Sequence, residues 1–393
     1  MAPETISRWA RRYALVSVSF LLLWQLASVL GVPRRTEVTL AVYGFVFPMV
    51  FGKAYSLVPT YFDRTLAFPR APAVGLPFVV VGAGGLAAGT LSGTPSWLAS
   101  TGALAWAVGV AVFLGTLGWT VRHDPTGRAT ATGEHNADRR PVDRVANAFV
   151  PVAFAYLLVG TSATLGLHTG LPPLLDGYPP RVTHLLAAGA AGLLVFALGF
   201  RLLPRFFGAP LPRSLAVATL LPGALAPGLL ATRLLDAGRW FRAGALLEAG
   251  AVCGFALAVA LLARRSSRRR VGLSTVLVAA GFGVLGVAFG LWFAFEAPSA
   301  ALVRAHLRVN LLGFLGLTVV GLAYQFYPPA VGDLPGSSDS TARVSVLALS
   351  GGLLAQVGGL TLRVPTATTL GEWLALCGAL CYAYLLAAAF LAR

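Results

Sequence analysis

His184 and His306 are the side chains best suited to chemistry, since a neutral imidazole can ligate haem iron or copper. Both fall inside apolar sequence, where an ionisable group is costly. They lie 122 residues apart and hold the same place in a repeated segment: with His184 laid on His306, Gly199 falls on Gly321. Moving the segment back by 269 residues lays Glu37 on His306 and brings Gly44-Phe45, Gly52, Tyr55 and Pro59 onto Gly313-Phe314, Gly321, Tyr324 and Pro328. The middle copy is looser, with Pro204 arriving two residues early and no Gly-Phe pair. A fixed internal period is the mark of a repeated structural unit. It sets Glu37, His184 and His306 at one height and turns them toward a shared axis or toward equivalent pockets. An imidazole so placed can also be satisfied by a neighbouring carbonyl or water.

Other polar residues gather near these positions. Arg304 and Arg308 flank His306, read as sharing one helical face with it, and could hold an anion such as a haem propionate by charge-assisted bonds. Snorkelling to headgroups is the plainer use of such arginines. Glu248 sits deeper and could belong to a proton path, close to Pro222 and Pro227, which would break the seventh helix as helices are broken at transporter sites. For Glu296, Lys53 and Arg201, near helix ends, pairing or snorkelling suffices. His123 and His135 read as solvated loop residues; Cys253, Cys377 and Cys381 fall inside membrane helices, and Cys377 and Cys381, four residues apart, read as small buried hydrophobes. No phosphate-binding glycine motif is present.

The elements that must position these residues follow from composition. A mean hydropathy of +0.77, with 57% hydrophobic and 11% charged residues, leaves too little polar material to cover a water-soluble surface. The chain reads as an all-α integral membrane protein. Twelve apolar runs long enough to span hydrocarbon occur near 13–30, 39–59, 73–91, 97–121, 145–167, 183–204, 214–235, 242–263, 271–295, 301–328, 344–362 and 370–392. They form a single membrane domain over 1–393, built as three four-helix repeats, 1–121, 145–263 and 271–392. The segment 122–144, polar and rich in Asp, Arg, Gly and Thr, predicts a mobile cytoplasmic loop. Units of four helices all enter the membrane in the same direction, which implies rotation about the membrane normal instead of inverted topology.

The formal charge of +16 comes from 29 Arg and one Lys. With the N-terminus inside, the loops following even-numbered helices hold fifteen arginines, among them the run Arg264 to Arg270, against nine on the other side. That bias places both termini in the cytoplasm of a cell membrane. The partners implied are the bilayer and its anionic headgroups, and nucleic acid is not needed to explain the charge.

At His306-x6-Gly313-Phe314-x6-Gly321 with Pro328, and at His184-x14-Gly199 with Arg201, Pro204 and Gly208, the sequence resembles the haem-copper oxidase subunit I superfamily, and more closely its NnrS-like branch. The resemblance implies twelve helices in pseudo-threefold arrangement, cytoplasmic termini and a link to nitric oxide metabolism. By correspondence His306 would be the surviving high-spin haem ligand and His184 the surviving copper ligand. Helix two offers Glu37 and Thr39 where oxidases carry a haem-ligating His, helix seven has no His, and Arg308 replaces the second His of helix ten. A terminal oxidase is therefore not expected. The expectation is one b-type haem (heme b), ahead of copper, at His306 and His184, with Arg304 and Arg308 nearby, serving nitric oxide or redox response beside a respiratory or denitrification partner. The alternatives are a small-solute or ion transporter and a cofactor-free accessory subunit.

Overall fold

In a computed structural model, which describes residues 2–236 and 238–392, helix makes up 82% of the chain and no strand occurs among the described residues. Twelve helices are long and apolar enough to cross a membrane: α1 (Glu4–Val29), α2 (Arg34–Tyr61), α3 (Ala71–Ala88), α4 (Ser96–Val121), α5 (Glu134–Thr169), α6 (Pro179–Phe207), α7 (Arg213–Arg233), α8 (Arg239–Arg265), α9 (Val271–Phe295), α10 (Ala300–Val331), α11 (Asp339–Leu362) and α12 (Pro365–Leu391). The chain is a multi-pass membrane protein by this measure.

Three helices differ from the rest in burial. In α2, α6 and α10, 78, 78 and 83% of the apolar span is buried, against 39–56% elsewhere. The other nine described spans form a ring in which α1 touches α3, α3 touches α4, and so on through α5, α7, α8, α9, α11 and α12 back to α1. Each central helix leaves α-helical geometry for one stretch, Leu40–Val46, His184–Gly192 and Val309–Gly316, wound as π-helix. These three stretches touch one another at the middle of the bundle. A wider turn loosens the regular ladder, and hydrocarbon offers no replacement partners, so such segments belong where protein surrounds them.

One packing arrangement recurs around each of them. A Cβ on Gly44 would collide with the ring of Phe20 on α1, a Cβ on Gly189 with Tyr156 on α5, and a Cβ on Gly313 with Phe282 on α9. In every case an aromatic ring from the preceding odd-numbered helix lies on a glycine of the π stretch. The seat left by a missing side chain lets the ring approach the backbone, and the close contact supplies the dispersion energy that holds membrane helices together.

The segment 122–144, expected as a cytoplasmic loop, is tied to the helices beside it by hydrogen bonds. Arg201 of α6, only 2% exposed, donates through Nη2 to the Thr130 carbonyl (2.7 Å) and through Nη1 to the Tyr61 carbonyl and Asn147 Oδ1. Asn147 Nδ2 donates to the carbonyls of Tyr61 and Gly127, and Thr132 Oγ1 to buried Asp143, which also pairs with Arg205. Gly127, at φ +62°, leaves no room for a Cβ against Asn147. In the segment's first turn, desolvation raises the Asp124 carboxyl, but N–H groups of Ala129 and Arg128 and the nearby Arg64 and Arg128 charges outweigh it and leave it below its ordinary range. Cys377 also differs from expectation, lying exposed on the outer face of its helix, and Cys253 is exposed as well.

Close glycine contacts should dominate stability in the outer ring as well. A Cβ on Gly82 would sit 2.7 Å from the Trp106 backbone, whereas one on lipid-facing Gly115 meets nothing within 4 Å. We predict that Gly82→Ala lowers thermal stability in detergent by about 1–3 kcal/mol, while Gly115→Ala is neutral or slightly stabilising. Equal effects would show that close approach of α3 and α4 is not what sets the difference.

Candidate functional site

His184 and His306 lie at the same end of α6 and α10, close enough to influence each other's charge. His306 is partly buried against α9, where its Nδ1 lies 3.1 Å from the Gly286 carbonyl and its ring meets Phe293 edge-on at 5.4 Å between centroids. Because a carbonyl only accepts, the Gly286 contact calls for a proton on Nδ1, while the Asn310 amide nitrogen, 3.3 Å from the same atom, is a competing donor to it. Asn310, one turn on, donates to the His306 main-chain carbonyl at 2.8 Å. His184 Nδ1 lies 2.7 Å from the Pro180 carbonyl in the same way. The Pro180 contact holds His184 in the tautomer that leaves Nε2 with a free lone pair, the arrangement found at metal-ligating histidines, and the Gly286 contact favours the same tautomer at His306. The approach to His184 is itself pinned: buried Arg181 donates through Nε to the Ala231 carbonyl (2.6 Å) and pairs with Asp176. The Tyr178 N–H and the Arg181 guanidinium hold the Asp176 carboxyl below its ordinary range.

Arg304 and Arg308 do not share a face with His306. An offset of two residues is about 200° around a helix, so the arginines point to the opposite side. There Arg308, 4% exposed, donates to Ser28 Oγ (2.7 Å) and Gln356 Oε1 (2.8 Å) and pairs with Glu372 at 2.9 Å and Glu37 at 3.2 Å. Arg304 closes the cluster on Glu37 at 2.8 Å. Two guanidinium groups meet two carboxylates, so the buried charges balance, and one residue on α10 is tied to α1, α2, α11 and α12. The adjoining cavity, lined by Trp24, Arg34 and Glu37 among others, has a volume of about 10 Å³, room for about one water.

The sequence-predicted residues therefore divide into two sites. Each imidazole offers Nε2 and has its other nitrogen against a backbone carbonyl, the donor set that a metal would use. The arginine pair does not fit a haem propionate, because Glu37 and Glu372 already occupy its anion-binding directions. Where the resemblance puts a haem ligand on helix two, Glu37 is ion-paired. Among the described residues no cluster of three or more His, Cys, Asp and Glu side chains forms a metal site, so His184 and His306 would act as a pair.

The second carboxylate, Glu372, and its neighbour Gln356 were missed by sequence reasoning. An acid near the start of an otherwise apolar helix was the available signal for Glu372. Gln356 carries no such signal. Set against known proteins, the chain matches no family model and no curated sequence.

Removing one member of the cluster would strand the others' charge in the bundle. We predict that Arg308→Ala costs about 3–5 kcal/mol, seen as a large loss of thermal stability in detergent, and that Arg304→Ala costs clearly less because its side chain is one-third exposed. Equal, small effects from both would contradict a buried hub at Arg308.

Proposed function

We propose that this protein is a membrane protein of haem-copper oxidase-like, threefold-repeated architecture that binds one metal centre between His306 and His184, a b-type haem ahead of copper. Its role would be in nitric oxide or redox response at the cell membrane, with cytoplasmic termini and a respiratory or denitrification partner. One observation carries this reading: two imidazoles on adjacent central helices each spend Nδ1 on a main-chain carbonyl and keep Nε2 unpaired. The recurring aromatic-on-glycine contact at Gly44, Gly189 and Gly313 supports the threefold kinship.

In this reading Nε2 of each ring is the ligand atom, and the Gly286 and Pro180 carbonyls hold the tautomer and raise ligand basicity. Phe293 limits rotation of the His306 ring. A bound haem would supply an iron able to take up a diatomic gas or an electron. Dioxygen reduction is not proposed, since the ligands for a low-spin haem and a three-histidine copper site are replaced by other residue types.

A transporter reading draws on a different observation, the prolines of α7 beside Glu248. Pro222 and Pro227 do not break that helix, which runs unbroken over Arg213–Arg233. They do remove two N–H groups from its ladder. Solute-dependent flux in liposomes that persists in His306→Ala would favour this reading.

For the metal reading, the expected result is a Soret band and stoichiometric iron in purified protein, lost in His306→Ala and weakened in His184→Ala. Stoichiometric copper without a Soret band would select copper. Protein expressed with ample haem and metal, yet purified with neither, would overturn the assignment.

A further inference from the structure

Glu248 is the membrane carboxyl that the Arg308 cluster leaves unexplained. Glu37 and Glu372 each face a guanidinium, but Glu248 has no hydrogen bond or ion pair, and its Oε2 is sealed from solvent. The residue as a whole is half-buried, ten positions into α8.

Its surroundings are rich in acceptors and poor in donors. Helices α7 and α8 pack antiparallel, with Gly244 against Leu229 and Leu230, Gly223 against Ala251, and Gly254 against Thr219. Glu248 lies four residues after Gly244 and three before Ala251, hence on the stripe of α8 that faces α7. The register sets it level with Leu225 and Ala226, between Pro222 and Pro227. Proline has no N–H, so the carbonyls of Ala218 and Gly223 lack their usual i+4 donors. The Tyr156 hydroxyl is already committed, donating to the Ala224 carbonyl (2.6 Å) and accepting from the Gly228 N–H (3.0 Å), and the unpaired Thr219 hydroxyl lies against Gly254, six residues farther along α8. Tyr156 occupies the place that Phe20 and Phe282 hold in the other two units, so its hydroxyl is the addition specific to this one.

Ionisable neighbours are few. Tyr156 of α5 is close enough to feel the Glu248 charge, and α7 and α9 carry no ionisable side chain along their membrane lengths. On α6 the ionisable groups are Arg181, His184, Arg201 and Arg205. Of these, Arg181 is held by Asp176 and Ala231, and Arg201 and Arg205 by Asp143 at the far end. His184 bonds Pro180. On α8 itself Arg242 is turned to the Ala294 carbonyl, and Cys253 is exposed.

An anion there would have no cation and no spare donor at its own level of the seam, whereas a carboxylic acid would bring the donor that the proline-stripped carbonyls lack. We infer that Glu248 is a proton-binding site within the bundle: the carboxyl is protonated in the resting protein at neutral pH and serves as a hydrogen-bond donor toward α7. Release leaves a carboxylate and passes the proton to water, which requires water or a cation to reach the α7–α8 seam. Glu248 would then couple proton uptake and loss to a rearrangement of that seam. The assignment is independent of any metal at His306.

The test is labelling of the full-length protein in detergent with dicyclohexylcarbodiimide, which reacts with protonated carboxyls in apolar surroundings, followed by peptide mapping. The expected result is an adduct at Glu248 at neutral pH that declines as the pH is raised, is lost in Glu248→Gln and is kept in Glu248→Asp. The infrared spectrum should carry a protonated-carboxyl carbonyl band at neutral pH that Glu248→Gln removes. No adduct at Glu248 together with no such band, in protein that runs as a single species, would overturn the proposal, as would a band unchanged by Glu248→Gln.

Discussion

Hydrocarbon cannot satisfy a backbone group that has lost its partner, and that constraint explains the arrangement of the twelve helices. The three that carry π-helical stretches are the three placed inside the ring, where their freed carbonyls meet side chains instead of lipid. Ser17 donates to the Phe45 carbonyl at 2.6 Å and Asn310 to that of His306. The price of the irregularity is a ring of nine helices around it. What the irregularity gives in return is geometry: a π turn rotates the residues beside it, and both candidate imidazoles stand at or just before such a turn.

The ends of the bundle are fastened by charge in two different ways. At the His306 end, Arg308 sits among two carboxylates, a glutamine and a serine drawn from four other helices. At the opposite end Arg201 and Asp143 join α2, α5 and α6 and hold the 122–144 loop against them. A lone charge in either place would be severely destabilising, and the opposite charges and hydrogen bonds gathered around each guanidinium make the clusters sustainable. Glu248 stands apart because its surroundings offer no compensating charge.

Much of the frame was legible in the sequence. Hydrophobic length alone locates twelve spans, because a bilayer imposes a nearly fixed thickness on every helix. The 122- and 269-residue offsets set Glu37, His184 and His306 at one height, and Glu37 pairs with Arg304 and Arg308 on either side of His306. Side-chain direction was less accessible. Arg304 and Arg308 were grouped with His306 by nearness in sequence, yet a two-residue step reverses the helix face. The Arg308 cluster joins residues as far apart as Ser28 and Glu372, and no local pattern encodes such a meeting. The contacts of the loop at 122–144 were hidden for a related reason: its polar composition gives no sign of them, and the groups that hold it, Arg201 and Asn147, lie in helices.

The central claim is that α6 and α10 meet at the middle of the bundle with His184 and His306 turned toward one space. In a background lacking Cys253, Cys377 and Cys381, a protein carrying His184→Cys and His306→Cys can be treated with a bifunctional thiol reagent spanning about 10 Å, roughly one helix diameter. The account predicts an efficient intramolecular cross-link, read as a fragment pair that stays joined after proteolysis between α6 and α10. Two thiols that each react singly but never become linked would contradict it.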